Sequence, residues 1–556
     1  MKLPQGAVPY YFAFGESVYE RKNNNLGRLP FVDYQQLDFS PNGIERMRSS
    51  AWTNPREARV VEKEKAAFAY SGEVRQKVDP ALAEWGGADI YNCRVFPLLP
   101  KQLHRIVIAY DMNLNQLDED WLLNFGIPDV KCPKILDFEI AEFANVNSQI
   151  LPAQKEVEIE NNYKKFRLVN PKEKEISIRY PKLGNMTISG TDEGENKYFA
   201  TAITPELPEE SINDINKKGI IALDISLSAS PDKFNIWLKL IEELLNNNRD
   251  AIKEFNVLLF NVESFWWKPN VVINSPKNVK EFLKFANTLS LEGASDLGLA
   301  FSEITKKEKD TNIFLLSDGA ATWGLSDNYE LSNLLTPNQT VFAYNTGLSG
   351  TSNGTLQHLA AESGGAVFSI IGEDELNRAS KAFRKKPWRI KSLKINNTED
   401  ILVAGRLQYI YAGQKLMLAG RFKNKLSSTI YLIVEQNGIK KEINIPIKRK
   451  INSELASRTY GQMATEQLES FNSATEKYAI SYAKHFKVPG QTCSMLMLET
   501  ENDYKEYNIK ATEDEFVVNS TKVNFLIQEI LNKIGESLGD AKAEFQNWLN
   551  KLTEMP

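Results

Sequence analysis

Apolar and polar positions follow two rhythms along this chain. Between residues 218 and 370, continuous apolar runs such as "IIALDI", "FNVLLFN", "NIFLLSD", "TVFAYNTG" and "AVFSII" alternate with stretches of helical spacing. The clearest of these, "DKFNIWLKLIEELLNN", sets Phe234, Trp237, Leu238, Ile241, Leu244 and Leu245 on one stripe and predicts a helix laid against a core. Apolar strands alternating with helices predict a doubly wound parallel sheet, a fold that binds ligands outside the carboxyl ends of its strands. Elsewhere the rhythm is shorter. From Gly72 to Leu114, alternating residues around Pro and Gly predict two or three antiparallel strands, and from Leu117 to Glu210 the runs "EVEIE", "KFRLV", "EISIRY" and "KYFATAITP" extend that pattern. After Pro387 the strands return. "DILVAGRLQYIYAGQKLMLAGRF" and "TIYLIVEQNGIKKEINIPI" carry "AGQ" and "NG" turns and predict a β-sandwich.

These rhythms divide the chain. The expected fold class is α/β plus all-β, with a β domain over 1–115, a β-rich connecting domain over 116–217, a doubly wound domain over 218–387 and a β-sandwich over 388–515. A helical tail over 516–556 follows, from the spacing of Phe525, Leu526, Ile530, Leu531, Ile534 and Leu538. The segment "ELPEESINDINKKG", acidic and then polar, marks the boundary before Gly219. Within the first domain, the Asn-rich stretch from Arg21 to Thr53 reads as a surface insertion.

Two of the apolar strands end in aspartate. "GIIALDISLSAS" ends in Asp224 and is followed by the hydroxyls of Ser226 and Ser228, while "NIFLLSDG" ends in Asp318 and Gly319. Between them "LEGASDLGLAF" supplies Ser295 and Asp296. Carboxylates and hydroxyls are hard oxygen donors, the set that Mg2+ and Mn2+ take. At these residues the chain resembles a von Willebrand factor A-type domain with a metal-ion-dependent adhesion site. The resemblance implies that Asp224, Ser226, Ser228, Ser295 and Asp318 hold one Mg2+ or Mn2+ on three loops. It also marks two departures: Leu227 stands where that family usually has Gly, adding bulk beside the metal, and Ser295 stands where it has Thr. Asp296 is expected to turn away toward backbone donors.

A second resemblance lies in the first domain. "LPQGA" at Leu3 to Ala7, "EAR" at Glu57 to Arg59, and the run "DPALAEWGGADIYNCRVFPLLP" resemble the vault and inter-alpha-trypsin-inhibitor domain, which precedes an A-type domain in that family. "YAKHFKVPGQTCSMLMLETENDYKEYNI" is similar to the region that follows it in inter-alpha-trypsin-inhibitor heavy chains and their bacterial relatives. Such a protein is expected to bind a protein partner that offers a carboxylate to the metal, without catalysing a reaction. A metal-free scaffold in a cell-envelope complex is the alternative.

Composition removes several other functions. The 556 residues are 42% hydrophobic and 25% charged with a formal net charge of -5, which suits a large globular chain and offers no basic stripe for nucleic acid. Cys93, Cys132 and Cys493 are odd in number and scattered, and His104, His358 and His485 are the only histidines, so zinc clusters and disulfide frameworks are not expected. His485 and Cys493, close in sequence, are read as buried structure rather than a nucleophile and its base. The glycine-rich "GLSGTSNGT" lacks the Lys of a phosphate loop, and the sequons at Asn185 and Asn338 are read as chance. No apolar run reaches the length of a membrane span, and the opening "MKLPQGAVPYYFAF" lacks a signal peptide's basic start and apolar core. Taken literally that opening means cytoplasm; the family resemblance favours the cell envelope or an extracytoplasmic site, the chain then being N-terminally truncated.

Overall fold

The computed structural model describes Leu3, residues 7–16 and most of 56–509; residues 17–55, 510–556 and several short stretches, the longest 209–216, lie outside the description. The Asn-rich insertion and the helical tail therefore fall outside the described residues.

The doubly wound unit is built on five parallel strands, β1 (Lys218–Asp224), β2 (Glu254–Phe260), β3 (Thr311–Leu316), β4 (Gln339–Asn345) and β5 (Ala366–Ser369). Their order across the sheet is β2-β1-β3-β4-β5, and two short antiparallel strands extend the β2 edge to a seven-stranded sheet. Alternate residues of each strand serve opposite faces. Ile221 and Leu223 of β1 pack with Trp237, Leu240 and Leu244 of helix α1 (Pro231–Asn247) and with Phe282 of α2 (Pro276–Ala286). Ile220 and Ala222 face the other way, toward Leu297 and Phe301 of α3 (Leu297–Lys307), Leu331 of α4 (Asn328–Asn333) and Leu356 of α5 (Asn353–Glu362). This sheet with helices on both faces is the von Willebrand A-type fold. Its strand order reverses between β1 and β3, so their carboxyl ends border the crevice where doubly wound folds bind ligands.

The flanks are assembled differently. One five-stranded sheet runs Thr398–Val403, Leu416–Phe422, Lys197–Ile203, Met186–Thr191 and Arg449–Asn452, mixing segments from both sides of the A-type unit. Phe199, Ile203, Leu416 and Leu418 on one face of this sheet pack against Trp388, Ile430, Leu432 and Val434 of a four-stranded sheet, which makes the sandwich. On its other face Tyr198, Ala200 and Ala419 meet two helices, Leu455–Glu469 and Glu476–Phe486. Near the start of the chain, Arg59–Glu62 and Ala81–Trp85 both pair with Cys493–Met497, far along the sequence. The A-type unit is thus inserted between β layers that its two ends jointly form.

Four helices among the described residues depart from the expected strand-rich flanks, the shortest of them Glu501–Glu506. Lys63–Gln76 occupies part of the first domain, where strands were expected from Gly72 onward, and Leu455–Glu469 and Glu476–Phe486 lie inside the range read as a β-sandwich. The first buries the small residues Ala66 and Ala69, and since alanine favours helix strongly but contrasts weakly with polar neighbours, its stripe is faint in the sequence. The second and third bury Tyr460, Met463 and Leu468, and Tyr478, Tyr482 and Phe486, beside their alanines. Among the described residues no helix is long and apolar enough to cross a membrane.

Candidate metal centre

Three loops converge above the carboxyl ends of β1 and β3. The first leaves β1 at Asp224, makes a tight turn over Leu227–Ala229, and enters α1 through Ser230, whose φ of 47° redirects the chain, and Pro231, which suits a first helical turn. The second carries Ser295 and leads into α3. The third follows β3 through Ser317, Asp318 and Gly319, where a positive φ of 72° and the nearby Ser352 carbonyl leave no room for a side chain. Backbone hydrogen bonds knit the loops: Leu227 N–H donates to the Gly293 carbonyl at 3.0 Å, and Thr322 and Trp323 N–H donate to the Ser295 carbonyl at 3.0 and 3.1 Å.

Asp224 lies at the centre, fully buried. Its Oδ1 accepts from Ser226 N–H at 2.9 Å, and its Oδ2 accepts from the Ser295 and Ser317 hydroxyls at 3.0 and 2.7 Å. Ser226 and Ser228 hydroxyls lie 3.0 Å apart. Burial above all, and then the charge of Asp318, push the Asp224 carboxyl up to about 6, against the hydrogen bonds from Ser226 and Ser317 that favour its ionised form. Asp318 Oδ1 accepts from Ala320 N–H at 3.0 Å, while its Oδ2 faces the ammonium of Lys233 at 3.3 Å. Lys233, only 3% exposed, also donates to the carbonyls of Ser228 and Gly350.

The five residues expected from the sequence therefore cluster at one place. Leu227, expected to add bulk beside the metal, is 71% exposed on the loop that carries Ser226 and Ser228. Asp296 turns away as expected: it caps α3, its Oδ1 accepting from Leu299 N–H at 2.8 Å, and Gly324 lies so close that a Cβ there would meet its carboxylate at 2.4 Å. Sequence reasoning missed three side chains. Ser317 adds a hydroxyl on Asp224. Trp323, 61% exposed, stands with Leu227 and with Val262, 40% exposed, around the Ser295 loop. Lys233 lies at the edge of the apolar stripe of α1, beside Phe234, and the sequence carried no signal that it is buried.

The donor set fits a divalent cation. Hard oxygens from two carboxylates and several hydroxyls point together, and a protein ammonium already rests against one carboxylate as a stand-in cation. Among the described residues no group of three or more His, Cys, Asp and Glu side chains is placed to hold a metal ion, so the candidate donors here are two carboxylates completed by hydroxyls. A cavity of about 320 Å³, lined by Asn353, Gln357, Glu466 and Glu469 among others, includes none of the five residues. Cys493 is sealed in its strand, where burial first and Glu469 second push its thiol up to about 12, and His485 Nε2 faces Asp192 Oδ2 at 3.2 Å. Cys493 so placed lacks the setting of a nucleophile.

No family model matches the chain. Curated proteins do: inter-alpha-trypsin inhibitor heavy chain H1 of Bos taurus is 25% identical over 254 residues, and heavy chain H3 of Mus musculus 22% identical over 378 residues. The chain is similar to the inter-alpha-trypsin inhibitor heavy chains. The matches cover 42% and 60% of this heavy-chain-like protein but only 28% and 41% of those relatives. Among solved structures, a von Willebrand factor type A protein from Catenulispora acidiphila is 11% identical, with 54% of this chain and 82% of that one covered and a TM-score of 0.28. Proximal thread matrix protein 1 of the mussel byssus, with a zinc-occupied MIDAS motif, is 17% identical, with 31% and 48% covered and a TM-score of 0.25. The A-type assignment of the heavy-chain-like protein rests on its strand order and connections, independently of these superpositions.

Proposed function

We propose that this protein is a non-enzymatic interaction module that binds a protein partner through a divalent ion, Mg2+ or Mn2+, held by Asp224, Ser226, Ser228, Ser295 and Asp318. The observation that carries this reading is the convergence of these hard oxygens at the switch point of the sheet, beside exposed Leu227, Trp323 and Val262. The ion would supply a Lewis-acidic position for an oxygen of the partner. Two carboxylates balance a dication, so an incoming Glu or Asp side chain meets little repulsion there. Around it, exposed Trp and Leu give the desolvating contacts typical of binding hot spots.

Affinity capture tests this reading. Immobilised protein incubated with extract of its source cells in Mg2+, and again with chelator, should lose a defined partner on chelation, and Trp323→Ala should lose that partner even with Mg2+ present. A partner retained equally under all three conditions contradicts it. A second reading, a metal-free scaffold whose β layers clamp the A-type unit, is favoured by one observation, the ammonium of Lys233 against Asp318. Thermal unfolding that ignores both Mg2+ and Mn2+ would select that reading.

A further inference from the structure

The candidate ligands are already satisfied by the protein itself. Asp224 accepts from Ser226, Ser295 and Ser317; Ser226 and Ser228 bond one another; Asp318 accepts from Ala320 N–H and faces Lys233. Lys233 is the only cation among these contacts, and it is held from three directions: Ser228 of the first loop, Asp318 of the third, and Gly350 in the segment before α5. Its ammonium and both carboxylates are almost wholly removed from water. Buried carboxylates repel one another and lose hydration, so a positive charge between the loops offsets both costs.

We propose that Lys233 is a tethered counter-cation that holds the metal centre in a closed, metal-free state, and that a divalent ion enters by displacing its ammonium from Asp318. This inference rests on the metal-site reading above and adds a competitor to it. A dication and an ammonium cannot share the Asp318 carboxylate at close range without strong repulsion. Lys233 therefore lowers the apparent affinity of the site, and binding of the ion frees the ammonium from both Asp318 and the Gly350 carbonyl. Because Ser352 N–H donates to the Asp318 carbonyl at 2.6 Å, the start of α5 is tied to the same residue. Ion occupancy is thereby coupled to the backbone at Gly350 and Ser352, beside the face on which a partner would dock.

Mn2+ titration followed by paramagnetic resonance of free Mn2+, on full-length wild type and Lys233→Met, tests the proposal. Met keeps the length and apolar stem of Lys without its charge. The expected result is that the variant binds Mn2+ about tenfold tighter than wild type, the size of an ordinary coupling between two ligands. In chelator the same variant should melt below wild type, since the carboxylates have lost their counter-charge. Equal or weaker Mn2+ binding by a folded Lys233→Met overturns the displacement and leaves the metal site standing. Absence of Mn2+ binding in both proteins overturns the metal site and the displacement together. Hydrogen exchange on wild type decides independently of how the variant folds. Saturating Mn2+ should speed exchange of the Gly350 and Ser352 amides, and unchanged exchange with Mn2+ bound contradicts the release of Gly350.

Discussion

The A-type sheet and the flanking β layers hold their strands together by opposite means. In the A-type unit, β1 to β5 come from one continuous stretch, every connection crosses through a helix, and each strand is buried on both faces. In the flanks, Lys197–Ile203 pairs with Leu416–Phe422 and Arg59–Glu62 with Cys493–Met497, so neighbours in space are hundreds of residues apart in sequence. Polar groups follow the same division. The A-type unit gathers Asp224, Lys233 and Asp318 above the ends of β1 and β3, while Glu375 is buried apart from them against Ser369 and Arg378. The flanks distribute theirs as cross-links: Asp400 accepts from Arg421 and from the Tyr460 hydroxyl, and Asp192 accepts from Tyr198 and faces His485, so each ties a sheet to the helices that cover it. Buried charge that only cross-links has fixed partners. Under the proposal above, buried charge at the switch point exchanges a protein cation for an ion.

Core truncation should separate the two regions most sharply. Trp237→Ala removes the largest fully buried side chain among the described residues and should destabilise the A-type unit by about 3–5 kcal/mol. Asp400→Ala, which strands Arg421 in the flanking sandwich, should cost about 3–5 kcal/mol there. Denaturant titration monitored by Mn2+ binding distinguishes them: Trp237→Ala should lose the ion at lower denaturant than wild type, while Asp400→Ala should retain it. Equal loss in both variants would mean that the regions unfold as one.

Next come the two carboxylates of the centre, which should respond with opposite signs in chelator. Asp318→Ala leaves the buried Lys233 ammonium without its carboxylate and should lower stability by about 3 kcal/mol. Asp224→Asn removes a charge that burial and Asp318 both disfavour, and should raise the metal-free melting temperature slightly. Differential scanning calorimetry reads both, and a shared sign breaks the assigned pairing.

Acid should find the flanks through Asp192. Burial alone would raise its pKa, but hydrogen bonds from His485, Asn196 and Tyr198 outweigh burial and hold the carboxyl down at about 2. Because the folded value lies below the ordinary 3.8, this group contributes stability above pH 4 and loses it as pH falls from about 4 toward 2, about 1–2 kcal/mol in all. Asp192→Asn should flatten that part of the stability profile; an unchanged profile contradicts the assignment. The smallest effect is expected of Ser295→Thr, which keeps the hydroxyl on Asp224 and adds one methyl at a buried position. It should change Mn2+ affinity by less than about tenfold, matching a packing cost under about 1.5 kcal/mol, and titration calorimetry measures it.

Much of the A-type unit was legible because its signals are local. Apolar strands end in Asp224 and Asp318, hydroxyls follow at fixed spacing, and the stripe of α1 is built from large residues. The composite sheets were not legible, since nothing near Met186–Thr191 announces that Arg449–Asn452 lies beside it. Register there is set by packing across the whole chain. The helix at Lys63–Gln76 was hidden by its alanines. Lys233 escaped for a related reason: a lysine beside Phe234 reads as the polar edge of a helix until the structure places it beneath the loops.

The central claim is that the oxygens above β1 and β3 hold a divalent ion in the native protein. Its most direct test is the melting temperature of wild type in chelator and in millimolar Mn2+ or Mg2+. An ion that binds only the folded state at about a hundred times its dissociation constant stabilises it by about 2.7 kcal/mol. The account predicts a melting temperature that rises with ion concentration in wild type and does not rise in Asp318→Ala. A wild-type melting temperature unmoved by either ion would contradict it.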